Sequence, residues 1–174
     1  FNAVTTWIEQ MIAPRGFSIV QAGNLGGLIM IGGIIGCIVV PPIADKLRKR
    51  KIFVILSAAL TLPTLIGMSF TTSYALLLIS GFLFGFFFLS VGPIIYQYSA
   101  EICYPAPEAT SQGLLILAGQ ISGIIYIFGM DAFRSADGSM TPFLLFMIAV
   151  IPIEIFLAAR LKESTMVEAG VKNE

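Results

Sequence analysis

The chain has 174 residues, of which 57% are hydrophobic and only 11% charged, and its mean hydropathy is +0.93. Soluble domains carry about 25% charged residues to cover their surfaces, so this composition excludes water as the main solvent and points to an integral membrane protein. Ten basic and ten acidic residues cancel, which removes a charge-based case for nucleic acid, and the lack of histidine excludes His metal sites, His-dependent nucleophiles and an imidazole switch.

The chain opens Phe1-Asn2-Ala3, without an initiator Met, a basic n-region or a small-residue cleavage site, and so reads as part of a longer protein without a signal peptide. A span needs roughly 20 apolar residues to cross about 30 Å of hydrocarbon. Residues 1–12 are apolar but too few, which predicts a partial helix that Pro14-Arg15-Gly16 ends. Trp7 and Glu9 fall near its outer end, with Asn2 deeper. An aromatic face beside a carboxylate suits an organic cation, although a lone tryptophan near headgroups is ordinarily an interface anchor.

Residues 16–44 carry no charge and predict a span over 18–44. Gln21 and Asn24 are three apart and share a face near its outer end, where bonding between helices outweighs a ligand role. Cys37 reads as a packing residue, and Cys103 as a loop thiol. The cluster Asp45-Lys46-Leu47-Arg48-Lys49-Arg50-Lys51 follows, either a topology anchor or a cytoplasmic gate element. The next uncharged stretch is divided by Thr71-Thr72-Ser73 into spans over 52–70 and 74–99, with bends at Pro63 and Gly92-Pro93.

Residues 100–110 form a polar loop whose end suits a helix start: Pro107 in an early helical position, Glu108 on the positive N-terminus, Thr110 or Ser111 capping amides. Glu101 and Glu108 either serve that start alone or pair with basic residues of neighbouring loops as part of a gate. Within the span over 110–133, Gln120 lies ten residues past Thr110, about 15 Å deep and near the bilayer midplane. Burying an amide without a partner costs a few kcal/mol, so Gln120 is either the leading substrate contact or bonded to a neighbouring helix. Tyr126 and Asp131, farther out, suit an entry path. The final span, over 141–160, holds Glu154, a candidate proton-coupling group or a partner of a polar neighbour, and the tail runs over 164–174.

With the partial helix exiting outward, Lys46, Arg48, Lys49, Arg50, Lys51, Arg160, Lys162 and Lys172 fall inside and only Arg15 and Arg134 outside. Eight against two places the 45–51 loop, the 100–110 loop and the tail in the cytoplasm, in a plasma membrane. Glycines four apart, at 23/27, 32/36, 81/85 and 119/123, predict close helix packing.

Asp45, Lys46, Lys49 and Arg50 resemble the loop signature between the eighth and ninth helices of the major facilitator superfamily, with Pro41 and Arg48 at its two glycine positions. Residues 100–114, with Glu101, Tyr104-Pro105, Glu108, Ser111 and Gly113, are similar to the segment before the eleventh helix in the feline leukaemia virus subgroup C receptor-related branch. Gln10-Met11-Ile12 resembles the end of that branch's seventh helix. The resemblance implies an all-α, polytopic C-terminal six-helix half with its first helix truncated. It further implies a missing N-terminal half as partner, and alternating-access transport of a small organic solute, a cation or amine among the classes. In that branch a glutamine at the position of Gln120 contacts substrate, and an aromatic residue stands where Asn2 does. No enzyme activity, cofactor or metal is implied. The rival reading is a channel or scaffold assembled from several short chains.

Overall fold

The computed structural model describes residues 1–47, 49–132 and 141–161. Arg48, Arg134, Lys162 and Lys172 of the charge count, position 133 of the 110–133 span, and the tail 164–174 lie outside the described residues. Every regular element among the described residues is helical: α1 (Asn2–Thr6), α2 (Ile8–Ile12), a 3-10 turn (Ala13–Arg15), α3 (Ile19–Leu47), α4 (Arg50–Phe70), α5 (Tyr74–Ile102), α6 (Glu108–Ala132) and α7 (Thr141–Arg160). Helices α3 to α7 are long and apolar enough to cross a membrane. The result is an all-α, polytopic helix bundle.

The partial helix is two short ones joined at Trp7, where ψ opens to 15° while amide bonds still run from Trp7 to Ala3 and from Met11 to Trp7. Gly16, at φ +84°, adopts the left-handed conformation that ends the 3-10 turn, a backbone state that costs glycine least. Helix α3 then starts with a reciprocal capping box. The Ser18 amide donates to Gln21 Oε1 at 2.8 Å, and the Gln21 amide to Ser18 Oγ at 3.3 Å.

The loop expected over 45–51 is much shorter. Helix α3 carries through Pro41 and Pro42 to Leu47, and α4 already begins at Arg50. Proline this close to a helix end removes donors from the last turns alone, so the helix tolerates the pair. Between α5 and α6, Pro107 does not enter the helix. Its carbonyl instead receives the Thr110 and Ser111 amides, while the Ser111 hydroxyl donates to the Glu108 carbonyl rather than capping an amide.

Helices α3 and α5 run parallel, side by side, and make the closest packing in the bundle. A Cβ added at Gly32 would fall on the Phe82 carbonyl, one at Gly36 on the Phe86 carbonyl, and one at Gly85 on the Ile29 carbonyl. Gly81 receives Leu25 and Gly33 receives Leu89. Two of the four glycine pairs, 32/36 and 81/85, are thus each other's partner. The other two are not: nothing lies within 4 Å of a Cβ at Gly23, Gly27 or Gly119, and Gly123 meets only Asn2 Nδ2, at 3.5 Å. Helix α4 packs on the other side of α5 and touches α7. Helix α6 reaches the bundle chiefly through α1 and α5, and only Ser111 and Met130 are buried along it.

Proline 93 has no N–H, so the Leu89 carbonyl loses its helical donor. The Cys37 thiol supplies one, donating to that carbonyl at 3.2 Å. At the opposite end, Arg15 Nη1 donates to the Met68 and Thr71 carbonyls, both at 2.9 Å, and Nη2 to the Met11 carbonyl at 3.3 Å. It thereby caps the C-terminus of α4 with a positive charge, where the helix dipole favours one. Burial alone pushes this guanidinium below its ordinary pKa.

Gly85→Val forces the Ile29 backbone away and is expected to lower unfolding stability by about 2 kcal/mol or more. Gly27→Ala, in open space, is expected to be neutral or to stabilise by up to about 1 kcal/mol. Thermal unfolding of both variants in detergent checks the pair.

Candidate functional site

Three charged side chains meet where α3 ends, α4 begins and α5 ends. Arg50 Nη2 lies 3.2 Å from Asp45 Oδ1 and 2.9 Å from Glu101 Oε1. Each sits at the end of its helix that the dipole disfavours: both carboxylates at C-termini, the guanidinium at an N-terminus. Their pairing with one another offsets that disadvantage. The Arg50 side chain is 8% exposed and that of Glu101 15%, against 47% for Asp45, so the Arg50–Glu101 contact carries most of the desolvated attraction. Arg50 Nε and Nη1 and Glu101 Oε2 are buried without a hydrogen-bond partner. Lys46 and Lys49 are exposed beside this cluster, and Glu108 lines a separate chamber of 490 Å³ with Glu101, Gln97, Tyr104 and Gln112.

Deeper in the bundle is a half-open chamber of 410 Å³ lined by residues of α1, α4, α5, α6 and α7. Its wall is largely aromatic: Phe1 stacks on Phe88 at 6.0 Å, Phe88 on Phe84 at 5.4 Å, and Tyr96 and Tyr126 face the same space. Among the described side chains that line it, Glu154 is the one that carries charge, and it is exposed rather than buried. The Thr61 hydroxyl donates to the Ser57 carbonyl and the Ser122 hydroxyl to the Ala118 carbonyl, both at 2.8 Å. Their protons are committed, leaving lone pairs for whatever occupies the chamber. Asn2 adds an amide opposite Gly123. The lining thus brings together aromatic faces, acceptor lone pairs, an amide and a carboxylate.

Of the expected substrate contacts, Asn2 and Tyr126 line this chamber, as does Glu154. Gln120 does not. It is exposed on α6, to one side of the face formed by Gly119, Ser122, Gly123 and Tyr126. Trp7 packs against the apolar core with its indole N–H buried and unpartnered, and Glu9 is exposed. Asn24 Nδ2 donates to the Tyr74 hydroxyl of α5 at 3.2 Å, the interhelical bond expected of it, whereas Gln21 serves its own helix start. Asp131 is exposed at the end of α6.

Against this geometry stand the relatives. The sequence model of the Major Facilitator Superfamily matches residues 1–127. The chain belongs to the major facilitator superfamily. It is 33% identical over 131 residues to solute carrier family 49 member A3 of Xenopus tropicalis, covering 73% of this chain and 27% of that protein. It is 30% identical over 131 residues to the choline/ethanolamine transporter FLVCR1 of Felis catus, covering 72% of this chain and 23% of that one. An uncharacterized protein of Archaeoglobus fulgidus is 29% identical over 167 residues, covering 94% of this chain and 73% of that protein. The chain thus spans about a quarter of the length of its animal relatives.

Three residues of this superfamily bundle escaped the sequence reading. Thr61 and Tyr96 gave no signal, because a hydroxyl within an apolar run is also common as a self-bonded core residue. Arg15 was counted only as an outer charge, though a lone arginine directly after a helix-ending proline does hint at a cap. Arg50→Met strands the mostly buried Glu101 carboxylate and is expected to cost about 3 kcal/mol. Asp45→Asn, at the more exposed contact, should cost under about 1 kcal/mol. Adding Glu101→Gln to Arg50→Met should recover much of the loss, as denaturation midpoints of the single and double variants would show.

Proposed function

We propose that this bundle is the C-terminal half of a secondary active or facilitative transporter that moves a small organic cation or amine by alternating access. One observation carries the reading: an aromatic, acceptor-rich chamber within the bundle whose charged lining residue is the carboxylate of Glu154. Aromatic faces attract ammonium groups by cation–π interaction, and a carboxylate beside them adds charge attraction. The names of the choline/ethanolamine transporters among the relatives support the same class of solute.

In this reading the bundle rocks against an N-terminal half, and Gln120 meets the solute from the exposed side of α6 once that half closes over it. The Asp45–Arg50–Glu101 cluster, with Lys46, Lys49 and Glu108 around it, locks the inner end. Because its charges oppose their helix dipoles, the lock is balanced closely enough to open in each cycle. The charged end and the C-terminus lie in the cytoplasm of a plasma membrane, a placement supported by Lys46, Lys49, Arg50, Lys51 and Arg160 at one end against Arg15 at the other. Glu154 also serves as the coupling group when a proton gradient drives uptake.

The relative from Archaeoglobus fulgidus, aligned over 73% of its own length, favours a second reading in which several short chains assemble into a channel or scaffold. Light-scattering mass of the purified complete protein separates the two.

The test of the first reading is uptake of radiolabelled choline and ethanolamine by the full-length protein in proteoliposomes. Glu154→Gln is expected to raise KM about tenfold or more, and Tyr126→Ala about fivefold. Gln120→Ala should raise it as well, and an imposed proton gradient should drive uptake in the parent protein but not in Glu154→Gln. Unchanged kinetics in both Glu154→Gln and Tyr126→Ala would overturn the chamber as the solute site.

A further inference from the structure

A second chamber, of 350 Å³, lies between α4, α5 and α7. Its wall is continuous with that of the first: Thr61, Phe88, Ile151 and Glu154 line both. The polar groups gather near this shared wall. Thr61 and Glu154 stand in it, and Ser57 is one helical turn from Thr61, with its carbonyl bonded to the Thr61 hydroxyl. Beyond the wall the lining is hydrocarbon, from Val54, Ala58, Phe87, Val91, Ile95 and Ala158.

We propose that this second chamber is an apolar subsite for the transported solute, which is then an organic cation bearing a hydrocarbon substituent. The ammonium group sits against Glu154 and the aromatic wall of the first chamber, and the substituent extends past Thr61 and Phe88 into the second. The proposal rests on the cationic-solute reading above and narrows it. Two physical arguments favour this occupant. A carboxylate bordering an apolar chamber needs a cation close by, which an uncharged hydrocarbon filling the same space does not provide. A hydrocarbon chain attached to that cation gains affinity by packing against the apolar side chains of Val54, Ala58, Phe87, Val91, Ile95 and Ala158. The juxtaposition is specific, because the charge lies at the junction of the two chambers and the hydrocarbon lining on one side of it.

Calorimetric binding to the purified full-length protein tests this with tetramethylammonium, butyltrimethylammonium and hexyltrimethylammonium. Each added methylene is expected to tighten binding about fourfold until the chamber is full. Ala58→Phe and, independently, Val91→Phe narrow the second chamber, and in each the ratio of hexyltrimethylammonium to tetramethylammonium affinity should fall towards one. Retained tetramethylammonium binding certifies that a variant is folded. Should one variant misfold, the other still reports whether the dependence arises in this chamber. Binding of tetramethylammonium with no dependence on chain length overturns the subsite alone. A dependence that persists unchanged in both folded variants assigns the gain to detergent or lipid, and also overturns it. Failure of all three ions to bind overturns the cationic-solute reading and the subsite together.

Discussion

Everything in this bundle depends on how closely the backbones of α3 and α5 approach. In hydrocarbon there is no hydrophobic drive between helices, so association relies on packing and on hydrogen bonds that lipid cannot supply. Gly32 and Gly36 accept the carbonyls of Phe82 and Phe86, and Gly85 accepts that of Ile29, so each helix lodges in the other. A methyl group at any of these positions would separate the pair. That contact brings Cys37 within reach of Leu89, and it sets α5 as the central member on which α4 is packed.

The prolines gain their meaning from this packing. Pro93 alone would leave the Leu89 carbonyl without a donor in a medium that offers none. The parallel neighbour provides a thiol at the right height. Arg15 works in the same way at the other end, satisfying the last carbonyls of α4 from outside that helix. These two contacts show how the bundle tolerates interrupted helices: backbone groups freed in one element are taken up by side chains of another. The aromatic chamber takes Phe84, Phe88 and Tyr96 from one continuous helix, on either side of Pro93 and facing α4 and α7.

The charge cluster illustrates what spacing can and cannot reveal. Asp45 and Arg50 are near neighbours in sequence, and Glu101 was singled out with its own segment, so all three were legible as candidates. Their convergence was not, because it requires the ends of three helices to coincide. With α3 running on to Leu47 and α4 starting at Arg50, Arg50 is buried at a helix end while Lys46 and Lys49 stay exposed. Gln120 is the converse case. Its depth along α6 was readable from helical rise, but depth says nothing of azimuth, and the helix presents Ser122 and Tyr126 to the chamber instead.

The sequence by itself determined the solvent, the number and approximate limits of the long helices, the superfamily and the residue types available for a site. Those follow from composition, from charge-free lengths fixed by the thickness of a bilayer, and from short polar motifs, all of which are local in the chain. Only the tertiary structure decided which glycine pairs are contacts, which hydroxyls are committed to their own helices, and which carboxylate faces a cavity. A helix in lipid is apolar all round, so its pattern carries little record of which side meets a neighbour and which meets the membrane. That information exists only once the helices are set against one another.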